Sequence, residues 1–180
     1  ELCKIYSGYS WNDKITVIDN RFVSERVNQI RNWNMNFIQG DILDKELIKK
    51  YCHDADIVHH LAGITDVPRV KSESSEDKNR LISKVAEEGT QNILDAINDK
   101  CKIIMPSSHV VFEGIEKVKM NIMENEKVNP TLSYGKSKAI NEEQLKKSGK
   151  NYIILRLGSV YGYSSDTARI DIMANYFAKT

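Results

Sequence analysis

The segment DIVHHLAG (56–63) opens on an aspartate, passes through a β-branched apolar run and stops at Ala62–Gly63. A run this short, apolar and closed by a glycine is read as a strand buried on both faces. After the polar stretch KSESSEDKNR (71–80), read as a loop or helix entry, a helical pattern runs from about Asn79 to Asn98. Ile82, Val85, Ala86, Gly89, Ile93, Ala96 and Ile97 recur along one face of it. A second buried strand follows at KIIMPSS (102–108). Strand, long helix, strand is the pattern of a parallel crossover.

The same alternation extends in both directions. KITVID (14–19) and NFIQGD (36–41) precede this unit as strands, and YIILRLGS (152–159) follows it. KELIKKYC (45–52) is a shorter helix, and SKAINEEQLKKS (137–148) continues another. The series predicts an α/β fold of the Rossmann type, a doubly wound parallel sheet with helices on both faces. Such sheets bind ligands at the carboxyl ends of their strands, where the strand order reverses. Those ends carry Asp19, Asp41, the Leu61–Ala62–Gly63 run and Ser107–Ser108. An acid there can accept ribose hydroxyls, and small residues let a ligand lie close to the backbone, as a dinucleotide requires. Each residue alone is equally a turn or a helix cap. It is the ordered series that carries the reading.

Bulk properties narrow the class. With 180 residues, 41% apolar, 28% charged and a net charge of +1, the chain has material for a core and no charge excess to attract nucleic acid or a membrane surface. Its longest apolar runs are far too short to span a bilayer. The opening ELCKIYSGYSWNDK (1–14) is not read as a signal peptide, since charged residues interrupt it and no long apolar core leads to a small-residue cleavage site. Cys3, Cys52 and Cys101 are odd in number and widely spaced, which fits reduced thiols in the cytoplasm. The four histidines match no common zinc spacing, and His59 and His60 face opposite sides of their strand, so no metal is expected.

The chemistry concentrates in LSYGKSKAINEEQL (132–145). Tyr134 and Lys138 are four apart on a helix and share a face. A cation beside a phenol favours the phenolate, which can then exchange a proton near neutral pH.

Over nearly its whole length the chain resembles the extended short-chain dehydrogenase/reductases, the NAD-dependent epimerase/dehydratases that act mostly on nucleotide sugars. ITVIDN (15–20), GDILD (40–44), DIVHHLAG, EEGTQNILDAI (87–97), PSSHVVFEG (106–114), the Y-x-x-x-K helix and ILRLGSVYG (154–162) all resemble family motifs, as does the 26-residue gap from Ser108 to Tyr134. The resemblance implies Tyr134 as the acid/base, Lys138 as holder of the nicotinamide ribose, and Ser108 as the residue that orients the sugar oxygen. It further implies Asp19 and Asn20 at the adenosine ribose, and Asp41 and Ile42 near the adenine. Leu61, Ala62, Gly63, Ser107 and Leu157 would line the rest of the cofactor, and Ser159 would touch the substrate. NAD as cofactor, a nucleotide sugar as substrate and a homodimer are implied with them.

The family's G-x-x-G-x-x-G fingerprint is not found among the nine glycines. The expectation is that Glu1 falls inside the first helix and that residues 1–180 form an incomplete NAD-binding domain. The family's first strand, central in its sheet, would be missing together with the glycine loop, leaving a gap through the core. The whole protein would have roughly 300 residues, with most of the substrate-binding part beyond Thr180. Two positions depart from the pattern: Ala86 stands where the family usually has an asparagine, and so does Ser159. The dehydratase branch carries T-D-E at the serine-rich strand end, where this chain has Ser107–Ser108–His109. Without those acids an epimerase is favoured over a dehydratase. A reductase with the same three residues, or an idle NAD-binding scaffold subunit, stays open.

Overall fold

The computed structural model describes residues 2–65 and 75–161. The order is α1 (Leu2–Tyr6), a 3-10 turn (Asn12–Lys14), β1 (Thr16–Asp19), α2 (Ser24–Asn32), β2 (Asn36–Gln39), α3 (Lys45–Cys52) and β3 (Ile57–His59). Then come α4 (Glu76–Ala96), β4 (Lys102–Ser108), a 3-10 turn (His109–Phe112), α5 (Ser133–Lys147) and β5 (Asn151–Leu157). Among the described residues the strands form two sheets, β1–β2 and β3–β4–β5. β3 and β4 run parallel, with Ile57 opposite Lys102, Val58 opposite Ile103 and His59 opposite Ile104. The crossover expected from the sequence is therefore present, and the sheet is in two pieces, as expected with the family's central first strand missing.

By contacts the chain divides into two compact units, Glu1–Val17 with Val23–Phe37 and Leu157–Thr180, and Ile18–Phe22 with Ile38–Arg156. In the first, Val27 of α2 and Met35 are buried, and Tyr9 stacks on Trp11 with ring centroids 5.0 Å apart. α2 was not foreseen: Val27 is its one buried residue, so its sequence lacks a wide apolar stripe.

The second unit holds the main core. Ile93, Leu94, Ala96 and Ile97 from the end of α4 pack with Ile48 and Cys52 of α3, Ile103 and Met105 of β4, Leu145 of α5, Ile42 and Cys101. Along β4 the odd positions Ile103, Met105 and Ser107 are buried and the even ones half-buried, as for a strand covered on both faces. α4 and α3 are capped at their starts: Ser75 accepts from Lys78 N–H at 3.2 Å and Asp44 from Leu47 N–H at 3.0 Å. α5 stops where Gly149 takes φ +69°, a left-handed turn that a side chain would oppose.

Several boundaries differ from the sequence reading for local reasons. The Asn12–Lys14 turn delays β1 to Thr16. Asp41 accepts the Leu43 N–H at 2.9 Å and turns the chain just past β2. β3 is shorter than the expected 56–63: His60 N–H still bonds the Ile104 carbonyl at 2.9 Å, but Leu61 N–H turns back to the His59 carbonyl at 3.0 Å. Leu61, Ala62 and Gly63 thus leave the ladder as an exposed edge.

Candidate functional site

α5 sets the site. Tyr134 stands in its first turn, half-buried, and Lys138 follows one turn later, buried. The Lys138 ammonium lies 5.8 Å from the centroid of the Tyr134 ring. It also donates to the Pro106 carbonyl oxygen at 3.0 Å. Burial pushes the Lys138 amine below its ordinary value. Lys102 N–H donates to the Asp56 carbonyl and His60 N–H to the Ile104 carbonyl, so residue 106 is the next donor position toward β3, and proline, with no N–H, ends that ladder. At Gly135 a side chain would come within 3.0 Å of the Val110 carbonyl oxygen and of Pro130 Cβ. The absent Cβ lets the start of α5 close on the turn that follows Ser108.

That turn is itself built for close packing. Ser108 accepts the Val110 N–H at 3.4 Å and caps the 3-10 segment. Glu113 Oε1 accepts from Thr131 N–H (2.8 Å), Thr131 Oγ1 (3.0 Å) and Leu132 N–H (2.6 Å), satisfying donors at the entry to α5, which has no side-chain cap of its own. The strand end carrying Ser108 and the helix start carrying Tyr134 are joined through these contacts.

Ser107 points the other way. Buried, its hydroxyl donates to Glu142 Oε1 at 2.6 Å. Glu142 is also gripped by Arg156, with Nε to Oε1 at 2.9 Å and Nη2 to Oε2 at 2.6 Å. Burial pushes the Glu142 carboxyl up, but the Arg156 and Ser107 hydrogen bonds and the Arg156 charge leave it below its ordinary value.

A third buried set lies between β3, α4 and α5. His60 Nε2 is 2.8 Å from Thr90 Oγ1, and Asn141 Nδ2 donates to Thr90 Oγ1 at 2.7 Å and to the Ala86 carbonyl at 2.8 Å. His60 Nδ1 is buried without a hydrogen-bond partner. Burial, helped by the Lys138 charge, pushes this imidazole down to about 4, so it is neutral at physiological pH.

At the ends of β1 and β2 the acids are exposed and organised. Asp19 Oδ1 accepts the Arg21 N–H at 2.8 Å, the Asp19 carbonyl accepts from Gly40 N–H at 3.1 Å, and Asn20 Nδ2 reaches Asp41 Oδ2 at 3.4 Å. Asp19, Asn20 and Asp41 are therefore brought together. The Ile42 side chain packs in the core, and its carbonyl accepts from Asn92 Nδ2 at 3.0 Å. Leu157 closes β5 and Ser159 lies two residues beyond, both exposed. Among the described residues no three His, Cys, Asp or Glu side chains are placed to hold a metal ion, and no helix is long and apolar enough to cross a membrane.

Sequence reasoning missed Glu142, Arg156, Thr90 and Asn141 as site-supporting residues. One signal was available. The four-residue spacing from Tyr134 to Lys138 continues to Glu142 and Lys146, and a carboxylate on that stripe can meet the lone charge inside the apolar strand YIILRL (152–157).

Comparison with known proteins places the chain in context. The family profile of the RmlD substrate binding domain matches residues 19–178. A Methanocaldococcus jannaschii protein provisionally named a UDP-glucose 4-epimerase is 30% identical over 162 residues, covering 86% of this chain and 50% of its own. The 3beta-hydroxysteroid-dehydrogenase/decarboxylase isoform 2 of Arabidopsis thaliana is 30% identical over 142 residues, covering 74% of this chain and 24% of its own. The chain spans half or less of the curated relatives it matches. Among solved structures, a mutant UDP-glucuronic acid 4-epimerase of Bacillus cereus, in complex with UDP-4-deoxy-4-fluoro-glucuronic acid and NAD, is similar with a TM-score of 0.74. That likeness has 22% identity and covers 97% of this chain and 56% of the other. At that identity the agreement is one of fold.

Proposed function

Since the chain belongs to the RmlD substrate binding domain family, within the extended short-chain dehydrogenase/reductases, we propose that it is the NAD-binding half of a nucleotide-sugar epimerase. The reaction would invert a hydroxyl-bearing carbon, at C4 of a UDP- or dTDP-hexose. The observation that carries the reading is the Lys138 ammonium held beside the Tyr134 ring and fastened to the strand end next to Ser108.

The residues fit NAD. Exposed carboxylates at Asp19 and Asp41 offer acceptors for ribose hydroxyls and the adenine edge, and the exposed Leu61–Gly63 edge allows close approach. Lys138 would reach the nicotinamide ribose. When bound, NAD supplies a reversible acceptor and donor of hydride. The chain's own part is proton chemistry and positioning. Ser108 orients the sugar hydroxyl, and Tyr134 as phenolate takes its proton, favoured by the nearby ammonium. A keto sugar that turns before the hydride is returned comes back with inverted configuration, and Tyr134 gives the proton back.

Support for epimerisation comes from Ser107–Ser108–His109, which lacks the acid pair that elimination uses, and from the name of the Methanocaldococcus relative. A net dehydrogenase is the second reading, favoured by the equal identity of the Arabidopsis relative. The test is to incubate the full-length protein with UDP- and dTDP-hexoses, following the sugar by NMR and the cofactor by NADH absorbance. Inversion with no net NADH is expected. Stoichiometric NADH would mean a dehydrogenase and a 4-keto-6-deoxy product a dehydratase, and either would overturn the epimerase.

A further inference from the structure

Among the described residues Glu142 is the most heavily engaged carboxylate of the second unit. It is 2% exposed and takes hydrogen bonds from Ser107 of β4, from both Nε and Nη2 of Arg156 on β5, and from Lys146 Nζ at 3.2 Å on its own helix. Arg156 is held in turn, donating from Nη1 to the Glu124 carbonyl at 3.0 Å, with its guanidinium 4.9 Å from the Phe112 ring centroid. Burying an ion pair is a poor way to gain stability, because an apolar pair of similar volume often does as well. Geometry offers a better account. Glu142 lies one turn beyond Lys138 and two beyond Tyr134, and the hydroxyl it accepts belongs to the neighbour of Ser108.

We infer that Glu142, clamped by Arg156, is a positioning residue that fixes the strand end bearing Ser108 against the helix bearing Tyr134 and Lys138. The inference rests on the function proposed above. The Lys138–Pro106 and Glu142–Ser107 bonds grip consecutive residues of β4, so strand and helix cannot slide without breaking one of them. A bidentate guanidinium fixes the carboxylate plane, which a single lysine would not do.

Two variants of the full-length protein test this with NAD and the sugar it turns over. Ser107→Ala removes the tie and leaves the ion pair. Glu142→Leu combined with Arg156→Met replaces the pair with apolar bulk. In both, kcat is expected to fall at least about tenfold, because small misplacements of reacting groups are costly. KM, NAD affinity and the pH midpoints of kcat should stay near wild type, since Glu142 and Arg156 neither bind nor titrate in the reaction and the Ser107 hydroxyl, which the resemblance placed along the cofactor, is turned onto Glu142. Glu142→Gln keeps an oxygen for Ser107 but loses the second oxygen that Arg156 Nη2 grips, so its kcat should fall between wild type and the double variant. Wild-type kcat in Ser107→Ala, or a loss confined to KM or NAD affinity, overturns the positioning role alone. If the double variant does not fold, Ser107→Ala decides. Wild-type protein with no NAD-dependent turnover would overturn the proposed function and this role together.

Discussion

Lys138 donates to the Pro106 carbonyl oxygen at 3.0 Å, so the helix that carries Tyr134 is tied to the strand that ends at Ser108. The same ammonium sits 5.8 Å from the tyrosine ring centroid. One side chain thereby performs an electrostatic and a mechanical task, and the two can be separated by substitution. Tyr134→Phe keeps the ring and removes the proton carrier, so NAD binding should persist while kcat falls about 10²–10⁴-fold. Lys138→Ala should lose both turnover and NAD affinity. The measurements are kcat and a cofactor titration on each variant, and equal activity in Tyr134→Phe and wild type would remove the tyrosine from its role.

Local spacing made much of this legible. The β3–α4–β4 crossover could be read from DIVHHLAG, the apolar face of 79–98 and KIIMPSS, and the pairing of Tyr134 with Lys138 from their four-residue separation. Long-range partners were less legible. The lone charge inside YIILRL offers Arg156 to the carboxylate stripe, but nothing in NEEQ (141–144) says that Glu142 will also meet Ser107 thirty-five residues back. Thr90 and Asn141 likewise look like ordinary polar helix positions until the fold sets the Thr90 hydroxyl between His60 and Asn141. Periodicity reports which face of an element is apolar, and a buried polar contact is by nature an exception to it.

Glu113 offers a test of how α5 is held. Its Oε1 accepts three hydrogen bonds from Thr131 and Leu132 at the helix entry, from an exposed position. Glu113→Ala should destabilise the fold by about 1 kcal/mol, the usual scale for a lost cap. Glu113→Gln keeps an acceptor oxygen and should cost less. Urea denaturation of both variants gives the difference, and equal midpoints in the two would mean that the acceptor oxygen does not matter.

Cofactor choice follows from the end of β1. Asp19 is exposed there, and a carboxylate that accepts a ribose 2′-hydroxyl repels a 2′-phosphate. NAD should therefore bind more tightly than NADP, and Asp19→Ala should weaken NAD and narrow the preference by about tenfold or more. Arg21, whose N–H bonds Asp19 Oδ1, lies close enough along the chain to aid a phosphate in that variant. Titration of both cofactors decides, with tighter NADP binding by wild type counting against the assignment of Asp19.

His60 should make the folded state sensitive to mild acid. Its imidazole is pushed by burial, and then by the Lys138 charge, from 6.5 down to about 4. Between those values the unfolded chain takes up a proton that the folded chain refuses, so stability falls as pH drops from 6.5 toward 4 and is fully present above 6.5. Over the step from pH 7 to pH 5 the loss is about 2 kcal/mol. His59 is shifted in the same direction by burial, and Glu142, held below its ordinary 4.5, adds its own loss only in stronger acid. A comparison with His60→Gln isolates the one imidazole, because glutamine does not titrate and can still reach Thr90. Urea unfolding at pH 7, 6 and 5 should give a shallower pH dependence for the variant than for wild type. Equal slopes would mean that His60 takes up its proton in the folded state as readily as in the unfolded one, and the neutral imidazole beside Lys138 would have to be abandoned.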